Sequence, residues 1–146
     1  MNALKKHERR LNGQARDIHG EAEQLKMLLQ KMDLKAEDEM YVLGDVVDRG
    51  KYPMEALQIL MSLPNCTCLA GNHEVMALSS LKLMLNEITE DFLNRLSAEQ
   101  LENLEDWMRL NGGGTTALEF TFLSQEKRKE VLEFMENFAL YAKLEI

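Results

Sequence analysis

The sequence predicts an α/β fold, in which parallel strands and crossover helices are followed by a largely helical segment. Two apolar runs, residues 39–43 and 66–70, are typical of short buried strands, and each follows a segment with helical apolar spacing. This alternation favours a parallel sheet with crossover connections. From Val75 onward the pattern is almost wholly helical as far as residue 138. With 146 residues, the chain is long enough for one compact domain with a hydrophobic core.

The N-terminal residues give little sign of regular structure. Residues 1–16 are mostly polar, and the tripeptide Asn12-Gly13-Gln14 interrupts any helix that begins at Ala3. The run from Leu11 to Arg16 has poor strand character. We therefore expect a strand leading into Asp17 to be weak or absent.

The helices are predicted from apolar spacing and from residue types that begin helices. The first, residues 21–32, places leucines and a methionine on one face. Pro53 fits the first turn of the second, which runs to Ser62. Thr89 and Ser97 are suited to begin two more helices. The remaining predicted elements are helices over 75–85 and 124–138 and a terminal strand over 139–146.

Composition and charge exclude several function classes. The net charge is −8 and there is no basic stripe, which argues against general nucleic-acid binding. No apolar run approaches the length of a membrane helix, and the charged first residues do not resemble a secretory signal. Cys66 and Cys68 would point to one face of a strand, which favours buried free thiols over a disulfide or metal pair. Together these features favour a cytoplasmic protein.

Three turns at predicted strand ends carry residues capable of chemistry. They contain Asp17 and His19, then Asp45, Asp48 and Arg49, and then Asn72, His73 and Glu74. Parallel strands place such turns at the same edge of a sheet, so we expect these side chains to converge. Carboxylates, an imidazole and an amide oxygen suit a divalent first-row metal.

The spacing of these residues suggests a division of roles. Asp17 and His19 could grip one ion, and Asp45 could bridge it to a second ion held by Asn72. Two ions about 3.5–4 Å apart can clamp a phosphoryl group and generate a hydroxide nucleophile. In that arrangement His73, oriented by Asp48, would be the general acid, and Arg49 would bind phosphate oxygens. Taken singly, each residue could equally be a turn former or a member of a local ion pair.

The three turns resemble the motifs of a known family. Asp17-Ile18-His19-Gly20, Gly44-Asp45-Val46-Val47-Asp48-Arg49-Gly50 and Gly71-Asn72-His73-Glu74 resemble the first three motifs of the calcineurin-like metallophosphoesterases. The Asp48-Arg49-Gly50 and Glu74 endings look like the serine/threonine protein phosphatase branch, in its small bacterial and phage form. The helical segment and the run from Asn111 to Thr116 look similar to the same members.

The resemblance implies a fold and a set of site residues. It covers residues 17–146 and implies the N-terminal half of an α/β sandwich, with the C-terminal half missing. The segments would be an α/β core over 17–75, a helical insertion over 76–138 and a terminal strand over 139–146. Asp17, His19 and Asp45 would hold the first metal, and Asp45 and Asn72 part of the second. The acid dyad would be His73 with Asp48, and Arg49 would bind phosphate.

The resemblance also implies an activity. The expected reaction is hydrolysis of phosphomonoesters, such as phosphoserine or phosphothreonine in proteins, by metal-activated water. Manganese is the expected metal, with iron, zinc or nickel as alternatives. The family supplies two further histidines to the second metal, and none follows His73, so we expect an incomplete second site and impaired activity.

Two other functions remain open at this stage. One is a non-catalytic remnant that binds a partner or self-associates through an unpaired sheet edge. The other is a hydrolase of dinucleoside polyphosphates, because related folds with similar Gly-Asn-His turns cleave those compounds.

Overall fold

The computed structural model describes residues 12–86 and 89–143, which form an α/β arrangement. The strands are β1 (Asn12–Ala15), β2 (Glu39–Val42) and β3 (Cys66–Cys68). The helices are α1 (Ala22–Met32), α2 (Pro53–Ser62), α3 (Asn72–Leu83), α4 (Glu90–Arg95), α5 (Ala98–Leu110), α6 (Gly114–Phe122) and α7 (Gln125–Glu136). The predicted α/β class is confirmed. No helix in the described ranges is long and apolar enough to cross a membrane.

The sheet is parallel, with the strand order β1-β2-β3. Asn12 is paired with Glu39 and Ala15 with Val42, while Val42 is also paired with Cys68 on the other side. Because the strands run in one direction, their carboxyl ends share one edge of the sheet. The turns that follow β1, β2 and β3 therefore emerge side by side.

The strand before Asp17 is present, so the expectation that it would be weak or absent is wrong. β1 pairs with β2 over four residues, and the Leu43 amide donates to the Ala15 carbonyl oxygen at 2.8 Å just beyond them. The backbone ladder supplies these hydrogen bonds whatever the side chains are. Ala15 and Ile18 are buried at the end of the strand, which anchors it to the core.

Two predictions in the C-terminal part also need correction. The glycine run after Asn111 ends α5 as expected, but it leads directly into α6, a helix that was not predicted. The terminal strand predicted over 139–146 is a single parallel bridge between Ala139 and Leu69. Residues 140–143 form no regular structure, and residues 144–146 lie outside the described ranges. The division into segments at residues 75 and 138 remains a prediction.

The core lies between the sheet and the helices. β2 contributes Met40 and Val42, α2 contributes Leu57 and α3 contributes Leu81, all nearly inaccessible to solvent. The helical segment adds its own large side chains, among them Trp107, Phe120 and Val131.

Cys66 and Cys68 are free thiols with sulfur atoms 3.9 Å apart, and Cys68 is buried.

Candidate active site

The turns after β1 and β2 are joined by their backbones. The His19 amide donates to the Asp45 carbonyl oxygen at 2.9 Å, and the Gly20 amide donates to Val46 at 2.8 Å. Gly50 packs so closely on the first turn that an added Cβ would lie 1.8 Å from the His19 carbonyl oxygen. Only glycine fits there, so the close approach of the two turns depends on Gly50.

The backbone of these turns is strained at the candidate site residues. Six non-glycine residues in the described ranges have positive φ angles, and five of them are Asp17, His19, Asp45, Asp48 and Arg49, at 42° to 74°. Such conformations cost of order 1–3 kcal/mol each in non-glycine residues and persist when the surroundings impose them. Their concentration in two adjacent turns is typical of a functional site.

Asp17, His19 and Asp45 form a group that could hold a metal ion. Their ligand atoms all lie within 4.8 Å of one another. The Nδ1 atom of His19 is 3.0 Å from the Val47 carbonyl oxygen, to which it can donate. When Nδ1 donates to this carbonyl, Nε2 keeps a free lone pair for a metal ion. A metal-binding histidine is usually oriented by a hydrogen bond of this kind from its other ring nitrogen. Two carboxylates and one imidazole fit a divalent first-row cation.

A neighbouring cation already faces this group. The Nε atom of Arg16 is 3.8 Å from a carboxylate oxygen of Asp17, and both side chains are mostly exposed. An exposed ion pair of this length is weak. A divalent ion would therefore displace the arginine at little cost.

Glu74 fixes the turn that carries Asp45. Its buried carboxylate accepts hydrogen bonds from the backbone amides of Asp45, Val46 and Gly71. Burial raises the pKa of Glu74, and these three amide donors oppose that shift. The sequence suggested only a first-turn helix acid at this position. The structure shows that Glu74 joins the start of α3 to the turn after β2.

The Asp45 carboxylate is held against the beginning of α3. Its Oδ1 atom accepts from the His73 amide at 3.3 Å. A Cβ on Gly71 would lie 2.5 Å from the same oxygen, so the close approach depends on this glycine. The positive end of the α3 dipole also favours a carboxylate here.

His73 and Asp48 form a buried pair. The Nδ1 atom of His73 lies 2.7 Å from Oδ2 of Asp48, whose side chain is completely inaccessible to solvent. Because an ionised carboxylate only accepts hydrogen bonds, Nδ1 carries the proton that joins them. The His73 ring stands edge-on to the ring of His19, with centroids 4.8 Å apart. The pair therefore lies directly beside the candidate metal ligands.

Two residues of the helical segment complete the surroundings of Asp48, and sequence reasoning missed both. The Trp107 indole donates to Oδ2 at 2.8 Å, and the Thr116 hydroxyl donates to Oδ1 at 2.7 Å. Thr116 ends the run from Asn111 that looks similar to the small bacterial and phage phosphatases, and that similarity was the only sign in the sequence that this residue matters. Trp107 is indistinguishable from a core residue in the sequence.

The remaining two predicted residues lie at the surface of the site. Arg49 is exposed, its amide donates to the Gly112 carbonyl oxygen at 2.8 Å, and no described residue pairs with its guanidinium. Asn72 is the exposed first residue of α3. No described group is hydrogen-bonded to the side-chain amide of Asn72. Its neighbours Gly71 and His73 both approach Asp45.

Comparisons with known proteins agree with these features. A family model described as calcineurin-like phosphoesterase matches residues 17–141. A symmetrical bis(5'-nucleosyl)-tetraphosphatase of Ectopseudomonas mendocina is 33% identical over 97 residues, covering 64% of this chain and 36% of that protein. A protein of the same name from Shewanella loihica is 37% identical over 99 residues, with 64% and 35% covered. The chain thus spans about a third of the length of these relatives.

A solved structure gives a weaker likeness. A metallophosphoesterase from Sphaerobacter thermophilus matches with 20% identity and a TM-score of 0.39, covering 65% of this chain and 40% of that one.

Proposed function

Because the chain belongs to the calcineurin-like phosphoesterase family, we propose that it takes part in metal-dependent hydrolysis of dinucleoside polyphosphates. The observation that carries the proposal is the meeting of the Asp17, His19 and Asp45 ligand atoms with the buried His73–Asp48 pair beside them. The substrate class is supported by the names of the two relatives described above.

The metal would be held by Asp17, His19 and Asp45, and manganese is the ion we expect. When bound, a divalent cation supplies a Lewis acid to the phosphoryl oxygens and favours deprotonation of water. The chain's own contribution is to fix the ligands before the ion arrives. The Val47 carbonyl orients the His19 ring, and the Glu74 carboxylate accepts from the backbone amides of Asp45 and Val46.

Asp45 and Asn72 would provide part of a second ion site. Asn72 is exposed at the start of α3, immediately beside the residues that approach Asp45. An amide oxygen and a shared carboxylate oxygen are too few ligands for a firmly held ion. Within residues 12–86 and 89–143, the second site is therefore proposed as incomplete.

His73 is the proposed general acid. Hydrolysis leaves negative charge on the oxygen of the departing group. Nε2 of His73 would donate a proton to a serine or threonine oxygen, or a hydrogen bond to the phosphate oxygen of a departing nucleotide. Asp48 fixes the Nδ1–H of the ring and thereby the direction of Nε2. Arg49 is exposed at the rim, and its guanidinium has no partner among the described residues. It would bind phosphate oxygens through its forked donors.

A second candidate substrate is a phosphorylated protein. It is favoured by the Asp48-Arg49-Gly50 sequence and by Glu74, which look like the serine/threonine protein phosphatase branch. Both substrates would use the same ligands and the same acid. They differ in the group that leaves, which is a nucleotide in one case and a serine or threonine side chain in the other.

The experiment compares substrates on one protein sample. The purified chain is incubated with Mn²⁺ and diadenosine tetraphosphate, a phosphoserine peptide or p-nitrophenyl phosphate, and Asp45→Asn is assayed in parallel. We expect manganese-dependent cleavage that is fastest for diadenosine tetraphosphate and absent in Asp45→Asn. Faster cleavage of the phosphopeptide would favour the second candidate. A folded chain that cleaves none of the three would favour a non-catalytic role.

A further inference from the structure

The carboxylate of Asp48 is surrounded by donors from three parts of the chain. It is completely buried, and it accepts from His73 on α3, Trp107 on α5 and Thr116 on α6. A buried charge needs such partners, because an unpaired one is very unfavourable. Two of the three donors belong to the helical segment, 59 and 68 residues away in the sequence.

Thr116 grips both the side chain and the backbone of Asp48. Its hydroxyl donates to Oδ1 at 2.7 Å and accepts from the Asp48 amide at 3.0 Å. Asp48 has a φ angle of 74°, a conformation that costs a non-glycine residue free energy and persists when the surroundings impose it. The next residue, Arg49, is held through its backbone, because its amide donates to the Gly112 carbonyl oxygen just before α6. The N-terminal end of α6 therefore keeps this turn in its strained form.

Trp107 fixes the other oxygen of the same carboxylate. Its indole N–H donates to Oδ2, the atom that also faces Nδ1 of His73. Gly113 packs against the indole, and a Cβ there would lie 2.3 Å from the ring. With Oδ1 held by Thr116 and Oδ2 by Trp107, the carboxylate cannot rotate away from His73.

We propose that Trp107 and Thr116 are positioning residues, which act on the reaction by aiming the Asp48 carboxylate at His73. This inference rests on the proposed function, since His73 is the proposed acid. It assigns a part in the chemistry to helices α5 and α6, which would otherwise only cover the core. A purely structural role predicts that loss of either donor lowers stability and leaves the His73 ring as it was.

The test compares substitutions at two adjacent threonines of α6, with a second variant on α5. Thr116→Val removes the hydroxyl and keeps the shape, and Thr116→Ser restores the hydroxyl. Thr115→Val is the matched control, because the Thr115 hydroxyl is buried and has no hydrogen-bond partner among the described residues. Trp107→Phe keeps a buried ring without its N–H, and serves as the second variant if Thr116→Val does not fold.

The first readout is spectroscopic and needs no activity. In ¹⁵N-labelled protein, the indole N–H of the single tryptophan and the ring N–H of His73 each give one signal, the latter assigned by its loss in His73→Asn. We expect Thr116→Val to shift both signals and to speed exchange of the His73 proton, with Thr116→Ser and Thr115→Val close to wild type. Trp107→Phe should likewise shift the His73 signal.

The second readout is kinetic, with Mn²⁺ and diadenosine tetraphosphate. We expect Thr116→Val to lower kcat about 10- to 100-fold with KM unchanged, because small displacements of catalytic groups have effects of this size. Thr116→Ser should recover most of kcat. If the wild-type chain cleaves nothing, the proposed function fails, and the spectra alone decide the inference. A His73 signal unchanged in Thr116→Val and Trp107→Phe would overturn it, as would equal losses in Thr116→Val and Thr115→Val.

Discussion

The Nδ1 atom of His73 lies 2.7 Å from Oδ2 of Asp48, and the two residues are 25 positions apart in the sequence. This hydrogen bond joins the beginning of α3 to the turn after β2. The Glu74 carboxylate and the Asp45 side chain connect the same two elements. The site is therefore built where two strand ends meet, and its parts hold one another in place.

The carboxylate of Asp17 should contribute strongly to metal affinity. We expect Asp17→Asn to weaken Mn²⁺ binding at least about tenfold, because it removes a charged ligand. Even the loss of a group that only hydrogen-bonds to a metal ligand lowers metal affinity about tenfold or more. Isothermal titration calorimetry on the purified chain measures this. Asp33→Asn is the matched control, since Asp33 is also exposed and also has a positive φ angle, but lies at the end of α1. Equal affinities in the two variants would contradict the assignment of Asp17.

The fold and the turns were predictable to different extents. β2, β3 and six of the seven described helices were predicted, and the family resemblance is confirmed, because apolar periodicity and the three motifs are local signals. β1 was not predicted, since its sequence has no apolar pattern and its backbone pairing with β2 leaves no local signal. α6 was missed because its first residue belongs to a glycine run, which the sequence indicated only as a helix end.

The candidate site shows the same limit more sharply. The structure brings together Asp17, His19 and Asp45, while their roles stay predictions. Trp107 and Thr116 could not be assigned to Asp48 in advance, because the two contacts span 59 and 68 residues of the sequence. A single long-range hydrogen bond leaves no periodic trace in the sequence. Only the packing of α5 and α6 against the turn reveals it.

Glu74 should be one of the most sensitive polar positions for stability. Glu74→Gln replaces one acceptor oxygen by a donor that faces a backbone amide of the Asp45–Val46 turn. We expect a loss of about 1–3 kcal/mol in the free energy of unfolding, the usual cost of an unsatisfied buried group. Urea unfolding gives the value. Glu99→Gln, an exposed first-turn glutamate of α5, should change it by no more than about 0.5 kcal/mol.

The glycine run that leads into α6 should tolerate alanine at Gly114, the first residue of the helix, and not at Gly113. In Gly113→Ala the new Cβ would lie 2.3 Å from the Trp107 ring, so we expect a loss of about 1–3 kcal/mol from overpacking. At Gly114 the nearest atom would be 3.8 Å away, and Gly114→Ala should be neutral or stabilising by up to about 1 kcal/mol. Thermal and urea unfolding compare the two variants. If Gly113→Ala were as well tolerated as Gly114→Ala, the indole would be free to move away from the added methyl group.

Glu119 should make stability depend on pH in a direction that its burial fixes. It accepts from the Met54 amide at the start of α2, and partial burial raises its pKa above the ordinary value of 4.5. As the pH rises through 4.5, the unfolded chain releases this proton before the folded protein does, so this group's contribution to stability falls until the folded pKa is passed. Glu119→Gln removes the proton and can still accept from Met54. We therefore expect the variant to gain stability relative to wild type as the pH rises above 4.5, measured by urea unfolding at a series of pH values. Curves that stay parallel across this range would show that Glu119 titrates alike in both states.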